Sequence, residues 1–483
     1  MACKRFMMSS CMMLMFWCFM QTHCAFAQSP EVVQVRRANQ ADYVIITPSR
    51  YVETVRPLAD FRQVHNGFSV AIVTTEEIYR AFGQHIPPDS AIRDFITSTL
   101  TGGWTEPVPG YFLIAGNVDA VPSHVEAGLV RYEDSVCIDQ WYVEGVADTT
   151  FPRPAAAIGR FPARDSLALV TMVSKTIAYE QSTSSPWFAR AVVVADYGLD
   201  IGNFFEIRGR DYQQALGQVW TDTVTVHIRE SSESHATRTQ FRALWSEGAA
   251  IVSLSGRSDG PRFSDSAYFN SWDVDSIAEN TPLAFCMIDV NQRFERTDTA
   301  VLAVRLLEAK TKGAVATLAP TGLAFSNELH VFHMRLFEGM VHEPERPVGD
   351  VMLDAKRMPD AFLSGIRRQT LLGDPALVIK SPMTTGVEWP PRIAQKQLTL
   401  HQNYPNPFNP TTTIKYTLRK PQRVFLVVTD LYGRIVRRAI DGDLKEAGSH
   451  LLQFDAAGLP SGVYFYSLLA GGQRTTMEMV ILQ

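Results

Sequence analysis

The chain has 483 residues, of which 46% are apolar and 20% are charged, and it carries a net charge of −5 at neutral pH. This length accommodates about two or three domains with sizeable hydrophobic cores. The mildly acidic balance gives no reason to expect nucleic acid or an anionic membrane as a partner.

The first 27 residues have the three parts of a secretory signal peptide. Lys4 and Arg5 form a positively charged start, residues 6–20 are apolar, and Ala25-Phe-Ala27 is a cleavage site. We therefore expect residues 1–27 to be removed during export. No other run approaches the ~20 apolar residues that a membrane span needs, so no transmembrane segment is predicted in the mature chain.

Removal of the signal peptide leaves two of the six cysteines, Cys137 and Cys286. A large secreted domain with its own core does not need disulfides. We expect both residues to be buried free thiols.

Residues 41–380 alternate between apolar strands and amphipathic helices. Strands are predicted at 43–47, 68–73, 111–115, 191–195, 224–228, 249–256, 282–288 and 313–318. Helices are predicted at 51–63, 89–100, 166–181, 202–216, 237–247 and 327–340, and another begins with a capping sequence at Thr74. Such alternation produces doubly wound parallel sheets with right-handed crossovers. We place two wound α/β units at 28–185 and 186–380.

The stretch from Ala249 to Phe294 is where the sequence predicts an active site. It contains two apolar strands, and each is followed at once by a polar turn, beginning at Arg257 and at Asp289. In open α/β sheets, ligands bind where loops leave the carboxyl ends of the strands.

These two segments resemble the paired signature of the gingipain-type cysteine peptidases, which have a caspase-like fold. The resemblance is carried by Ser255, Gly256, Pro282, Phe285, Val290, Asn291, Phe294 and the later Gly373-Asp-Pro375. In that family the first strand leads to the catalytic histidine and the second to the nucleophilic cysteine. Arg257 and Asp289 stand at those positions here. The resemblance therefore implies the family's fold without an intact catalytic dyad.

The resemblance also implies a substrate cleft beside the two strand ends, with Asp139, Gly256, Ser258 and Asn291 as its candidate residues. In gingipains an aspartate in the region of Asp139 helps to select a basic side chain in the substrate. The alternative is that Asp139 and Arg160 are structural anchors of their loops.

Metal chemistry has little support in the sequence. His330 and His333 lie three residues apart on a predicted helix, which would allow a shared metal ion. No acidic or histidine partner is placed near them, so we predict no metal site and no cofactor. A structural calcium ion is compatible with the sequence, but no motif specifies a site for it.

An alternative nucleophile is also poorly supported. Cys286 lies three positions before Asp289, and side chains alternate along a strand, so its thiol is expected on the opposite face of the sheet. Ser255 and Ser258 lack an evident histidine base.

A proline-containing linker at 381–397 precedes a second domain at 398–483, in which short strands alternate with turn signals. The pattern predicts an all-β, immunoglobulin-like sandwich. Segments 403–410, 430–434 and 458–465 resemble the C-terminal sorting domain of type IX secretion substrates. The resemblance implies the type IX secretion machinery as a partner and a secreted or cell-surface location. The alternative is a carbohydrate-binding or adhesive sandwich.

The sequence as a whole predicts an exported gingipain-like protein without peptidase activity. One alternative is an active cysteine endopeptidase with unconventional catalytic residues. Another is a surface module that binds a peptide or protein in the former substrate cleft. Because Arg257 and Asp289 carry opposite charges and end neighbouring strands, we also predict that they form an ion pair across the former dyad.

Overall fold

The computed structural model describes residues 40–482 except for segments 84–86, 106, 128–134, 146–152, 184, 197–203, 229–233, 257–259, 265–267, 282, 290–291, 296–300, 325, 358–362, 383–397, 419–420, 430–434 and 471–472. The predicted signal peptide and most of the predicted linker lie outside the described residues. The chain divides into two compact units, Met1–Pro390 and Pro391–Gln483. None of the helices within the described ranges is long and apolar enough to cross a membrane.

Strands and helices alternate along the described part of the first unit. The strands are β1 (Tyr43–Thr47), β2 (Val70–Thr74), β3 (Tyr111–Ala115), β4 (His124–Ala127), β5 (Ser135–Ile138), β6 (Ala157–Phe161), β7 (Arg190–Ala195), β8 (Asp222–His227), β9 (Ile251–Ser255), β10 (Arg262–Phe263), β11 (Phe269–Asn270), β12 (Ala284–Ile288), β13 (Ala314–Pro320) and β14 (Gln369–Leu372). The α-helices are α1 (Val52–Asn66), α2 (Thr75–Phe82), α3 (Pro88–Ser98), α4 (Ser166–Gln181), α5 (Phe204–Leu216), α6 (Ser234–Glu247), α7 (Leu302–Glu308), α8 (Ser326–His342), α9 (Val348–Lys356) and α10 (Leu363–Arg367).

Ten of these strands form one sheet in the order β2-β1-β3-β6-β14-β13-β12-β9-β7-β8. Neighbouring strands are parallel except for β13 and β14, which are antiparallel. The sheet therefore has two parallel halves that run in opposite directions. The predicted arrangement of two wound α/β halves is confirmed. Both halves belong to the first compact unit, and together they form its one continuous sheet. The boundary between residues 185 and 186 stays a prediction.

The predicted strands of this unit all exist. Those at 43–47 and 111–115 coincide with β1 and β3, and the others differ from the observed bounds by one or two residues at an end. Helix α2 begins with the expected capping box, in which the Thr74 side chain accepts from the Glu77 backbone N–H and the Glu77 carboxylate accepts from the Thr74 N–H. The sequence did not predict the hairpins β4–β5 and β10–β11, whose strands are short.

The side chains of β9 and β12 alternate between two hydrophobic cores, one on each face of the sheet. Leu254, Cys286 and Ile288 belong to one core. Phe285 and Met287 belong to the other, together with side chains from α5 and α8. Odd and even positions of β12 therefore meet different helices, and this parity decides where the side chain of residue 289 points.

The second unit is a sandwich of two antiparallel sheets. Its strands are β15 (Leu398–Leu400), β16 (Thr411–Leu418), β17 (Gln422–Thr429), β18 (Ile435–Lys445), β19 (Gly448–Asp455), β20 (Gly462–Ala470) and β21 (Gln473–Ile481). One sheet has the order β15-β16-β19 and the other β18-β17-β20-β21. Residues including Ile414, Leu426 and Tyr466 fill the core. The predicted all-β sandwich is confirmed, while its segment 430–434 lies outside the described residues.

A buried arginine holds the chain where the two halves of the large sheet meet. The Arg62 guanidinium of α1 donates to the Asp374 carboxylate, just after β14, at 2.8 and 3.0 Å, and to the Glu180 carboxylate of α4 at 2.7 and 2.9 Å. The Tyr43 hydroxyl donates to the second Asp374 oxygen at 2.9 Å. These contacts fix the turn after β14 against β1, α1 and α4.

Candidate functional site

The candidate site lies at the carboxyl ends of three adjacent parallel strands, β7, β9 and β12. Asp196, Gly256 and Asp289 are the residues that follow these strands directly. The Asp196 N–H donates to the Ser255 carbonyl at 2.8 Å, and the Asp289 N–H donates to the Leu254 carbonyl at 2.9 Å. These bonds continue the sheet by one residue beyond β7 and β12, so both aspartates are held rigidly.

The carboxylate of Asp289 is buried and has polar neighbours at both oxygens. Its Oδ2 accepts from the Ser255 hydroxyl at 2.6 Å and from Arg208 Nη1 at 3.2 Å, and its Oδ1 lies 3.0 Å from His333 Nδ1. Burial alone would raise the pKa of Asp289, but the charges of His333 and Arg208 and the hydrogen bonds to the carboxylate lower it to about 2. The carboxylate is therefore an anion at neutral pH.

The partners of Asp289 come from the two helices that cover this face of the sheet. Arg208 lies on α5 and His333 on α8, and both side chains are essentially inaccessible to solvent. The Tyr212 hydroxyl, one turn after Arg208, lies 3.2 Å from His333 Nδ1. We call Asp289, Arg208, His333, Tyr212 and Ser255 the Asp289 cluster. It ties α5, α8 and two strand ends together.

His330 and His333 of α8 lie beside different carboxylates. His330 Nε2 lies 3.2 Å from Asp211 Oδ2 near the surface, whereas His333 is fully buried against Asp289. No group of three or more potential metal-ligating side chains occurs within the described ranges. The alternative of a metal shared by His330 and His333 therefore gains no support from the geometry.

The described side chains of the Asp289 cluster do not form the hydrogen-bond arrangement that activates a nucleophile. Ser255 donates its hydroxyl hydrogen to Asp289 and is fully buried. A carboxylate with a pKa of about 2 is a poor base for that proton. His333 contacts the carboxylate rather than the serine, so the order needed for a serine–histidine–carboxylate relay is not formed.

The two thiols are also unsuited to catalysis. Cys286 is fully buried in the core on the face opposite Asp289, as the alternation along the strand predicted. Burial raises the pKa of the Cys286 thiol well above its ordinary value. Burial, with the nearby Glu295 and Asp139 charges, raises the pKa of Cys137 to about 12. Both cysteines are free, as expected, and both are held as thiols at neutral pH.

Three of the sequence-predicted positions, Arg257, Ser258 and Asn291, lie outside the described residues. The predicted ion pair between Arg257 and Asp289 therefore stays a prediction. The described cation beside Asp289 is Arg208, which the sequence did not connect with the site because it lies on a separate helix.

Asp139 is engaged by an arginine of its own chain. Arg160 donates to the two oxygens of its carboxylate at 2.6 and 2.7 Å, and both side chains are buried. Arg160 also donates to the carbonyls of Gly116 and Val121, each at 2.8 Å. This geometry favours the structural-anchor alternative over a carboxylate that faces a substrate.

Gly256 is required for close packing at the end of β9. A Cβ atom there would lie 2.7 Å from Asp196 Cβ and 3.0 Å from a Phe263 ring carbon. Any other residue would push Asp196 or the β10 segment away. The glycine therefore has a packing role at the strand end, and its role in a substrate cleft stays a prediction.

Comparison with known proteins agrees with this architecture. A family model described as peptidase family C25 matches residues 36–380, and one described as a secretion system C-terminal sorting domain matches residues 402–483. A comparison with curated protein sequences gives no match.

Solved structures supply a likeness in fold. The Arg-specific cysteine proteinase gingipain R (RgpB) is 16% identical, with 93% of this chain and 99% of that chain covered and a TM-score of 0.60. The complex of RgpB pro- and mature domains from Porphyromonas gingivalis is 16% identical, with 91% and 100% covered and a TM-score of 0.60. A structure described as a protease is 12% identical, with 91% and 96% covered and a TM-score of 0.59. The predicted caspase-like fold is confirmed.

The ion pair in the Asp289 cluster leads to a stability prediction. Replacing Asp289 by alanine removes a buried counter-charge of the Arg208 guanidinium, so we expect the free energy of unfolding to fall by about 3–5 kcal/mol. The double variant Asp289→Ala with Arg208→Met should lose clearly less than the sum of the two single changes. Urea unfolding of the four proteins measures this difference.

A matched control for this experiment lies on the same helix. Arg210 forms an exposed i,i+4 pair with Glu206, and Arg210→Met should change the free energy of unfolding by no more than about 0.5 kcal/mol. Strictly additive losses in the Asp289 and Arg208 variants would contradict the pairing.

The low pKa of Asp289 leads to a pH prediction. Its pKa is about 2 in the folded protein against an ordinary value of 3.8, so its contribution to stability is present above about pH 4 and is lost as the pH falls towards 2. We expect the stability difference between wild type and Asp289→Asn to shrink by about 2 kcal/mol between pH 5 and pH 2. A difference that stays constant over this range would show that Asp289 is not held as a paired anion.

Proposed function

We propose that this chain, which belongs to peptidase family C25, is an exported member of the family that has lost peptidase activity. The observation that carries the proposal is the state of Asp289. This residue follows β12, where the family resemblance expects the nucleophilic cysteine, and its side chain is a buried anion bound by Ser255, Arg208 and His333. A residue in this state contributes to the fold and is not available to attack a substrate.

The environment of the remaining thiols supports the same proposal. A cysteine peptidase needs a thiolate activated by a neighbouring base and exposed to substrate. Cys137 and Cys286 are buried, and the pKa of each is raised. The alternative of an active endopeptidase would have to use a nucleophile other than these two cysteines.

The C-terminal sorting domain indicates export through type IX secretion, with that machinery as a partner. We infer that residues 1–27 direct the first step across the inner membrane. The protein then acts at the cell surface or outside the cell.

We infer that the former substrate cleft binds a peptide or protein segment without cleaving it. Two exposed apolar side chains are candidates for this contact: Ile207, next to Arg208 on α5, is 54% exposed, and Leu323, just after β13, is 46% exposed. These side chains belong to segments that follow strands of the parallel half β13-β12-β9-β7-β8. They offer contact area to an extended apolar segment of a partner.

The peptidase proposal leads to a direct assay. The mature protein should not hydrolyse peptides after arginine or lysine above the buffer rate, because loss of the nucleophile in a serine protease already costs on the order of a million-fold in kcat. Hydrolysis is measured with fluorogenic arginyl and lysyl peptides and with a thiol-directed covalent probe. Turnover that is abolished by Cys286→Ala or by Asp289→Ala would refute the proposal and identify the residue responsible.

The binding proposal is tested with peptides selected by panning a library against the immobilised mature protein. We expect the charged substitutions Ile207→Asp and Leu323→Asp each to weaken binding of a selected peptide by about tenfold, as expected for loss of an apolar contact of ~1.4 kcal/mol. Val64→Asp is the control, since Val64 is 88% exposed on α1. Equal affinity in all three variants, measured by fluorescence anisotropy, would place the binding site elsewhere.

A further inference from the structure

The segment that follows β15 in the second unit presents a tyrosine to solvent. Tyr404 is 82% exposed, although its backbone is paired on both sides with Thr413 of β16: each N–H donates to the carbonyl of the other residue at 3.0 Å. Within the described part of the chain, the Tyr404 side chain has neither a hydrogen bond nor an aromatic contact. The ring therefore contributes little to the fold that holds its backbone.

The residues around Tyr404 fix its position. The buried Asn403 side-chain amide donates to the Pro405 carbonyl at 3.0 Å and to the Thr412 hydroxyl at 2.9 Å, and the Thr412 hydroxyl donates to the same carbonyl at 2.7 Å. The Asn403 backbone N–H donates to the Tyr466 hydroxyl at 2.8 Å. Because this loop is already ordered, a partner that binds the exposed ring pays little conformational entropy.

A second exposed apolar side chain, Leu451, lies on the same face of this sheet. Ile414 of β16 points into the core, so its neighbours Thr413 and Lys415 point to the outer face. Tyr404 lies opposite Thr413, and Leu451 of β19, which is 72% exposed, lies opposite Lys415. Residues opposite each other on paired strands share a face. The Cα atoms of Tyr404 and Leu451 are therefore about 12 Å apart on the outer face, two strand spacings across and two residues along.

We propose that this outer face, with Tyr404 as its main contact, is the surface by which a protein of the type IX secretion machinery recognises the C-terminal domain. The inference rests on the proposed export function, and the region that matches the sorting-domain model, 402–483, begins just before Tyr404. Tyrosine is enriched among the residues that dominate protein–protein binding energies. The partner that fits this face is a protein with an apolar pocket for the ring and an acidic group for the exposed Lys415 ammonium.

The experiment follows export of the full chain in a bacterium that has a type IX machinery, by immunoblots of the periplasm, the cell surface and the medium. We expect Tyr404→Asp to lower the exported fraction by about tenfold or more, because loss of a dominant contact weakens binding at least that much. Leu451→Asp should lower it less strongly. Tyr404→Phe keeps the ring and should be exported nearly as well as the wild type.

Leu444→Asp is the matched control, because Leu444 is 66% exposed on β18, which belongs to the other sheet of the sandwich. This variant should be exported like the wild type. The Tm of purified Tyr404→Asp should stay within about 3 °C of the wild-type value, since substitution of an exposed side chain changes stability little. Tyr404→Ser takes its place if the aspartate variant does not fold.

A chain without residues 398–483 separates this inference from the proposed export function. If the deletion abolishes export while Tyr404→Asp is exported normally, the recognition surface is wrong and the export function stands. Normal export of the deletion variant would instead overturn the export function itself. Normal export of Tyr404→Asp together with loss of polysaccharide binding would also overturn the inference, and would assign the face to a glycan.

Discussion

The structure depends on one constraint, which is that a charge taken out of water must be paired. Among the residues that the structure describes, three arginines are fully buried, and each binds an aspartate at the end of a strand: Arg62 binds Asp374 after β14, Arg160 binds Asp139 after β5, and Arg208 binds Asp289 after β12. A guanidinium suits this task because it presents several donors in a fixed plane. Each pair ties a strand end to another element, and removal of one member takes a buried counter-charge from the other. These pairs set the positions of the loops in which the family places its chemistry.

The Asp289 cluster shows why the same position cannot serve both structure and catalysis. A nucleophile has to be exposed, activated by a base and free to approach a substrate. An anchoring carboxylate has to be buried, charged and held by neighbouring groups. Asp289 meets the second set of conditions, because three groups on β9, α5 and α8 surround it. The family's fold is compatible with a carboxylate here, since its strands and helices depend on the apolar cores and on the paired charges.

Much of the fold could be predicted from the sequence because the signals are local. Buried parallel strands are continuous apolar runs, so β9 and β12 were found to within two residues, and strand alternation correctly placed Cys286 on the face opposite residue 289. The composition of the Asp289 cluster could not be predicted. Arg208 lies 81 residues from Asp289 and His333 lies on another helix, and no spacing rule connects them. The role of Asp139 in a substrate cleft stays a prediction, and its contact with Arg160 of β6 favours the alternative, also considered from the sequence, that the two residues are structural anchors.

The cluster also bears on whether a thiol could act as a nucleophile at position 289. A cysteine at this position would be neutral when protonated, so it would take the Asp289 charge away from the buried Arg208 guanidinium. It would stand on the face that α5 and α8 cover, where Asp289 is now bound and no solvent reaches it. His333 Nδ1, which lies 3.0 Å from Asp289 Oδ1, would lie close to such a thiol, but it is fully buried on the same covered face. A reactive thiolate at position 289 would therefore require Arg208 and the helices around it to change as well, because the same contacts that anchor the carboxylate close the position to solvent.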